Sequence, residues 1–368
     1  MKTVHIHTDY KFVHNTDRFE DPKFSNHVII FRKDKPYNGP YKNSAKFYDK
    51  DDIDEVIRFC SDADLVILYN LEILKSKIAL GLPDDLKIAW RFFGTELYSR
   101  MKKTVLSEKS WSAAAGFKKN IKDLLRPFYH RVKYGENLNA VFPKAIDRID
   151  YMLVLNKKEY EFLSTYFGNL PEYIRLPIRE ERISGGSTNA SLKKKSKIVL
   201  GNSRGIYNNH IDTLKEIEKT NSKRNYNFLL LFNYGTESNY TKAVEKVIEG
   251  KSHYRLIEEF ISGERFKDFY ADVNALVING YRQMAMGNIF LALNNGVKVY
   301  LNKKNVMMDW LLSEGIEVFA VENLTTDLES GNIKLDYNIA SNNINKLGKL
   351  YSNYTEKDFQ KTIYNKIG

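Results

Sequence analysis

Short apolar runs alternate with stretches of helical periodicity along the first half of the chain. Leu65–Leu68 and Tyr151–Leu155 are apolar at every position. Apolar residues recur at helical spacing in 53–59, before the first run, and in 157–166, after the second. Strands that are apolar throughout and alternate with helices are typical of a parallel sheet covered on both faces. The first half therefore predicts an α/β domain.

The same alternation restarts in the second half, after a stretch without periodicity. Residues 178–196 contain two adjacent glycines and a run of lysines, a composition typical of an interdomain linker. Strand-like runs follow at Lys197–Leu200, Phe228–Phe232 and Ala275–Ile278, with helical spacing between them. We predict an α/β fold of two facing Rossmann-like domains with an interdomain cleft. The predicted boundaries are 1–177, the linker 178–196, 197–335, and a C-terminal helical segment 336–368.

Composition narrows the class of protein and of chemistry. The 368 residues are 43% hydrophobic and 28% charged, unlike a disordered chain. The single cysteine, Cys60, excludes a disulfide framework and a thiolate zinc site, and its apolar surroundings predict a buried residue. No window reaches the roughly 18 apolar residues that a membrane span needs. We expect a cytoplasmic protein without a transmembrane anchor.

Positive charge is concentrated in one segment. The formal net charge is +11, and Arg100–Lys133 holds ten basic residues against two acidic ones, interleaved with apolar and aromatic residues. A basic amphipathic face of this kind suits anionic lipid headgroups. A solvated helix is the open alternative, and no recognisable motif supports nucleic-acid binding. The candidate membrane-facing residues are Lys118, Lys119, Lys122, Arg126 and Arg131.

The turn after the strand at Lys197–Leu200 is a candidate phosphate-binding loop. Ligands of Rossmann-like domains bind beyond the carboxyl ends of the strands. Gly201 permits close backbone approach, Asn202 and Ser203 follow in a small loop, and Asn208 or Asn209 is expected to cap the next helix. An ordinary tight turn explains the spacing equally well.

A second candidate loop follows the strand that ends near Ile278. It carries Arg282 and Gln283, and Gly287 with Asn288 opens an apolar helix. A guanidinium beside free helix amides suits a diphosphate. The alternative is a strand, loop and helix with a surface arginine.

A third candidate lies at Arg91–Arg100, after a strand of the first half. Gly94 lets the chain turn, and Glu96 follows where its carboxylate could accept a proton from a hydroxyl. The alternative is an acid in a first helical turn, where the helix dipole favours it.

These three segments, in this order, resemble the TDP-N-acetylfucosamine:lipid II N-acetylfucosaminyltransferases of enterobacterial common antigen synthesis. The family pattern has glycine, in RQQG-x-G, where this chain has Ala285. The resemblance covers most of the chain and is clearest over Val199–Leu214 and Ala275–Phe319. The matching residues are Gly201–Ser203, Asn208, His210, Ile211, Arg282, Gln283, Gly287, Leu301, Asn302 and Phe93–Tyr98.

The resemblance implies a GT-B glycosyltransferase that needs no metal and no cofactor. Its C-terminal domain would hold a TDP- or UDP-linked sugar through Gly201, Asn202, Ser203, Asn208, His210, Gln283, Gly287 and Asn288. Its N-terminal domain would hold a polyprenyl-diphosphate-linked glycan, with the basic segment on the inner face of the cell membrane.

Our hypothesis from these residues is sugar transfer in bacterial surface polysaccharide synthesis. Arg282 and the loop amides at Gly201–Ser203 would stabilise the leaving diphosphate, and Glu96 would act as general base. Nucleic acid is not an expected partner. The open alternatives are a two-domain sugar-nucleotide epimerase, which would need no acceptor, and a non-catalytic membrane adaptor, which would bind no nucleotide.

Overall fold

The chain divides into two compact units. The structure, a computed structural model, describes residues 1–31, 37–114, 129, 131–132, 137–179, 196–261 and 263–367. The first unit contains the described residues of 1–100, 129–177 and 354–367, and the second contains those of 101–114 and 178–353.

A seven-stranded parallel sheet forms the centre of the first unit, in the order β3-β2-β1-β4-β5-β6-β7. Its central strand, β4, contains the apolar run Leu65–Leu68, and every residue of β4 is buried. The strands are β1 Lys2–His7, β2 Ser25–Phe31, β3 Lys46–Tyr48, β4 Leu65–Tyr69, β5 Lys87–Arg91, β6 Tyr151–Val154 and β7 Glu172–Arg175.

A six-stranded parallel sheet forms the centre of the second unit, in the order β10-β9-β8-β11-β12-β13. Val199 of β8 packs in one apolar cluster and its neighbours Ile198 and Leu200 in another, so both faces of the sheet are covered. The strands are β8 Ser196–Leu200, β9 Tyr226–Leu231, β10 Tyr254–Ile257, β11 Val273–Ile278, β12 Lys298–Leu301 and β13 Phe319–Ala320.

Helices connect most of the strands in both units. Those before β8 are α1 Ile53–Cys60, α2 Ile73–Gly81, α3 Thr95–Tyr98, α4 Lys102–Val105, α5 Glu108–Ala114, α6 Leu138–Arg148 and α7 Lys157–Phe167. Those after β8 are α8 His210–Glu218, α9 Asn239–Ile248, α10 Gly263–Tyr270, α11 Met286–Asn294, α12 Val306–Ser313, α13 Leu324–Ser330, α14 Tyr337–Ser352 and α15 Glu356–Ile367.

Two parts of the chain belong to a different unit from their neighbours in sequence. Residues 101–114, with α4 and α5, belong to the second unit although strands of the first unit precede and follow them. The predicted C-terminal segment divides between the units. Helix α14 packs on the second sheet through Leu347, whereas Phe359 and Ile363 of α15 pack with Phe19 in the first unit. Sequence periodicity predicts α14 and α15 but not the unit on which each one packs.

Candidate functional site

The strand order of the second sheet creates a switch point between β8 and β11. The chain starts at β8, adds β9 and β10 on one side, and then adds β11, β12 and β13 on the other. The loops after β8 and β11 therefore diverge from neighbouring positions at the carboxyl edge, where open α/β sheets bind ligands. The Gly201 amide donates to the Val277 carbonyl at 2.9 Å and joins the start of the first loop to β11. Both predicted phosphate loops thus lie at one edge.

Gly201 is required where it stands, because a side chain would collide with its neighbours. Its φ of +69° lies in the left-handed region that favours glycine. A Cβ atom would approach His210 Nε2 to 2.3 Å and Asn208 Oδ1 to 2.9 Å. The loop is therefore folded tightly onto the start of α8.

Asn208 shapes this loop from the inside. Its Nδ2 donates to the Ser203 carbonyl at 3.0 Å, to Ser203 Oγ at 3.1 Å and to the Gly205 carbonyl at 3.1 Å. Asn209, one of the two expected residues, occupies the N-cap position of α8, but its side chain makes no capping hydrogen bond. The Asn208 amide is turned back into the loop, and the Asn209 amide bonds to other segments.

Fewer backbone amides of this loop are available to a ligand than the sequence predicts. The Gly201 amide donates to Val277, and the Asn202 amide donates to Asn208 Oδ1 at 3.0 Å. Neither amide is therefore free to face an anion. Within the described parts of the chain the Ser203 amide makes no hydrogen bond, so it remains as the loop donor available to a ligand. The buried Asn202 Oδ1 has no partner there either.

His210 lies beneath the loop. The Tyr240 hydroxyl accepts a hydrogen bond from the His210 amide at 2.7 Å and lies 3.2 Å from its Nδ1. Burial lowers the pKa of His210 to about 3, so the ring is neutral at physiological pH. In this structure His210 supports Gly201 as a neutral, buried ring.

Arg282 lies against the Gly201 loop, the first of the two candidate loops, which comprises residues 201–209 between β8 and α8. Its guanidinium carbon is 4.6 Å from the centre of the Tyr207 ring, and its Nη1 donates to the Gln283 carbonyl at 3.2 Å. A Cβ at Gly280 would lie 3.0 Å from the Tyr207 carbonyl, so the two loops touch there as well. The structure therefore brings the predicted arginine beside the Gly201 loop.

Helix α11 begins at Met286, three positions after Gln283. Gln283 is buried, whereas Gly287 is exposed and Asn288 half-buried in the first turn. Amides in a first helical turn have no partner within the helix and carry partial positive charge. Ala285 precedes this turn with φ +59° and ψ +23°, the left-handed conformation that glycine adopts freely.

Replacing Ala285 with glycine is expected to stabilise the second unit. The left-handed conformation costs alanine about 1 to 2 kcal/mol. After the greater chain entropy of glycine is subtracted, Ala285→Gly should raise the free energy of unfolding by about 0.5 to 1 kcal/mol in urea titrations. The control Ala292→Gly, in the buried middle of α11, should lower it. An Ala285→Gly protein less stable than the parent would contradict this account.

Arg204 is a functional candidate that sequence reasoning missed. It follows Ser203 in the first loop, and its Nε donates to the Phe232 carbonyl at 2.7 Å. Its guanidinium lies 3.7 Å from the exposed carboxylate of Glu258. A second guanidinium therefore lies at the same sheet edge as Arg282. An arginine directly after Gly-Asn-Ser was the available signal.

Glu96 is buried in the first unit. Gly94 turns the chain with φ +102°, and Glu96 follows in α3 with 7% of its surface exposed. Its Oε1 accepts from Trp90 Nε1 and from the Phe93 amide, both at 3.3 Å, while Oε2 is buried without a partner among the residues that the structure describes. Burial raises the pKa of this carboxyl above its usual 4.5. A raised pKa suits a general base or acid.

Other buried ionisable groups surround the carboxyl edge of the first sheet. The Lys75 ammonium is fully buried, donates to the Tyr69 carbonyl at 2.6 Å and pairs with Glu72 at 3.0 Å. Burial lowers the pKa of Arg91 to about 9 and that of His7 well below its usual value. Such concentrations of perturbed groups are typical of functional sites.

Most of the predicted membrane-facing residues lie outside the described residues, namely Lys118, Lys119, Lys122 and Arg126. Arg131 is described and exposed. No helix in the described ranges has the length and apolar character to cross a bilayer. The described side chains also form no group of three or more histidine, cysteine or carboxylate residues that could hold a metal ion.

Comparison with known proteins identifies the fold. No protein-family model matches the chain, and no curated protein matches it in sequence. Sucrose-phosphate synthase from Thermosynechococcus elongatus matches with a TM-score of 0.69 at 8% identity, over 99% of this chain and 98% of that chain. HepE of Anabaena, in complex with UDP and glucose, matches with a TM-score of 0.65 at 10% identity, over 100% and 99%.

A third structure matches this chain over the full length of both. The lipopolysaccharide outer core galactosyltransferase WaaB matches with a TM-score of 0.64 at 11% identity, over 100% of each chain. These neighbours are glycosyltransferases of the GT-B fold, and at this identity the likeness shows the fold. The prediction of two Rossmann-like domains of GT-B architecture is confirmed.

Proposed function

We propose that the chain is a glycosyltransferase that moves a sugar from a nucleoside-diphosphate sugar to a lipid-linked glycan. The observation that carries the proposal is the contact of the Arg282 loop with the Gly201 loop at the switch point of the second sheet. A guanidinium, first-turn helix amides and the Ser203 amide there offer donors to a diphosphate. HepE, which shares the fold, was solved with UDP, which supports a nucleotide donor.

In the proposed reaction the acceptor oxygen forms a bond to the anomeric carbon of the donor sugar. The bond from that carbon to the diphosphate oxygen breaks, and the nucleoside diphosphate leaves with the electron pair. Arg282 stabilises the charge on the leaving diphosphate. Glu96 takes the proton of the acceptor hydroxyl, for which its raised pKa is suited.

The finer assignment concerns the donor and the acceptor. The motif resemblance to the N-acetylfucosaminyltransferases favours a TDP- or UDP-linked amino or deoxy sugar and a polyprenyl-diphosphate glycan. The basic segment at Arg100–Lys133 favours an anionic membrane surface in bacterial envelope synthesis. This part of the proposal depends on sequence motifs and charge.

An acceptor panel tests the proposal. Purified protein with TDP- and UDP-sugars should release nucleoside diphosphate only with vesicles that carry a polyprenyl-diphosphate glycan. Release should be faster on anionic than on neutral lipid, and it should fall with salt. Conversion of the nucleotide sugar without any acceptor would instead indicate the sugar-nucleotide epimerase. Binding to vesicles without binding of any nucleotide would indicate the membrane adaptor.

Duplex DNA is included as a competing acceptor. An alpha-glucosyltransferase in complex with UDP-glucose and DNA shares the fold with a TM-score of 0.61 at 9% identity. Transfer to DNA and not to the lipid-linked glycan would overturn the proposed acceptor and leave the transferase assignment in place.

A further inference from the structure

Asn209 is a buried side chain that neither caps a helix nor packs in an apolar core. It precedes α8, has φ +48° and ψ +41°, and is 0% exposed. Asparagine adopts this left-handed conformation more readily than most residues. Its amide group is therefore fixed in place by the backbone turn on one side and by its hydrogen bonds on the other.

The Asn209 amide group joins three segments of the chain. Its Oδ1 accepts a hydrogen bond from the Ser107 amide at 3.1 Å, and its Nδ2 donates to the Asn279 carbonyl at 2.9 Å. Asn279 is the first residue after β11 and stands three positions before Arg282. One side chain thus links the first loop, the Arg282 loop and a segment from the N-terminal half of the sequence.

The hydrogen-bond network of Asn209 extends through Asn279 to the end of β12. Asn279 Nδ2 donates to Thr213 Oγ1 at 3.1 Å, and Asn302 Nδ2 donates to Asn279 Oδ1 at 2.7 Å. Asn302 follows β12, and its amide donates to the Ile278 carbonyl at 3.2 Å. The start of α8 and the ends of β11 and β12 are therefore held together by buried or half-buried asparagines.

The segment Ser107–Ser110 is docked on the first turn of α8. The hydroxyls of Ser107 and Ser110 both donate to Asp212 Oδ2, the second at 3.3 Å. Ser107 Oγ also accepts from the Ser110 amide at 3.0 Å. These bonds fix the Ser107 amide where it donates to Asn209. The segment lies within the basic stretch Arg100–Lys133 of the sequence.

We propose that Asn209 is the positioning residue of the diphosphate site, and that the Ser107–Ser110 segment is a structural part of that site. The proposal rests on the proposed function. Asn209 holds the Asn279 carbonyl, and so the start of the Arg282 loop, at a set distance from the Gly201 loop. Undocking of the segment loosens that link, so its docking and nucleotide affinity are coupled.

Asn209→Gly is the direct test, because glycine keeps the left-handed backbone and removes the side chain that carries the amide group. Its matched control is Asn343→Ala in α14. Asn343 is 0% exposed and also makes two backbone hydrogen bonds, both to Glu317, at 2.8 and 2.9 Å. Both variants should lower the melting temperature. Only Asn209→Gly should weaken UDP or TDP binding, by about tenfold or more.

Amide hydrogen exchange supplies a measurement that needs no nucleotide. Asn209→Gly should speed exchange in both loops, 201–205 and 279–283, and Asn343→Ala should not. Asp212→Ala removes the acceptor of both serines and leaves Asn209 intact. It should speed exchange in 107–110 and weaken nucleotide binding by about threefold or more, since residues of one hydrogen-bond network are energetically coupled.

Each outcome decides the proposal. Unchanged exchange in 279–283 for Asn209→Gly overturns the positioning role, whether or not the protein binds nucleotide. Equal nucleotide affinity in Asp212→Ala and the parent overturns the coupling. If Asn209→Gly does not fold, Asp212→Ala decides both parts through exchange in 107–110 and in 279–283. A parent protein that binds no nucleoside diphosphate overturns the proposed function and, with it, the coupling.

Discussion

Arg282→Ala is expected to lower kcat/KM for sugar transfer by about 10²- to 10³-fold, the usual loss when one donor to a developing negative charge is removed. The guanidinium lies against Tyr207 at the switch point, and in the proposed reaction it faces the leaving diphosphate. Steady-state release of nucleoside diphosphate measures the effect. Nucleotide affinity should fall in parallel, because the product carries the same diphosphate.

Two further variants separate charge, geometry and folding. Arg282→Lys keeps the charge but loses the planar fork and the stacking on Tyr207, so its activity should lie between those of the parent and the alanine variant. Arg255→Ala removes an exposed arginine of β10 and should leave activity unchanged. Full turnover by Arg282→Ala would refute the diphosphate assignment.

Glu96→Gln is expected to lower kcat by about 10²- to 10⁴-fold with little change in KM, as for loss of a general base. Glutamine keeps an oxygen that can accept from Trp90 and Phe93, so the local fold should persist. The base form of Glu96 is lost as the pH falls through a pKa above 4.5. The acidic limb of the parent's pH–rate profile should therefore lie above pH 4.5 and vanish in the variant.

Glu96→Gln should lower activity without lowering the stability of the fold at neutral pH. A carboxyl whose pKa is raised on folding stabilises the folded state at low pH, and this contribution is lost as the pH rises through the folded pKa. Glu96→Gln should therefore be at least as stable as the parent at neutral pH, while less active. The control Glu159→Ala removes the buried acceptor of the Tyr98 hydroxyl, which donates to Glu159 at 2.9 Å, and it should lose stability. Unchanged activity in Glu96→Gln would rule out Glu96 as the general base.

The central strands could be predicted from sequence because both of their faces are buried. The missed elements carry weaker signals. β3 and β7 are short edge strands with exposed positions, and α6 contains Pro143, which usually argues against a helix. The docking of Ser107 on Asp212 depends on tertiary hydrogen bonds, so no local pattern could assign residues 101–114 to the second unit.

The candidate site could be located more easily than its contacts could be predicted. The rule that ligands bind beyond strand ends selects the loops after β8 and β11, and the structure brings these two loops into contact at Tyr207. The same rule cannot tell which amides are already used within the protein, as those of Gly201 and Asn202 are. Nor does it identify Asn209, whose importance comes from the direction of one side chain.

Thermal unfolding with TDP, UDP, GDP and CMP tests the central claim most directly. A nucleotide that binds only the folded protein at 100 times its Kd stabilises it by about 2.7 kcal/mol. We expect one nucleoside diphosphate to raise the melting temperature of the parent protein and to have much less effect on Arg282→Ala. Melting temperatures that no nucleotide changes would contradict the assignment of the second unit as a nucleotide-sugar-binding domain.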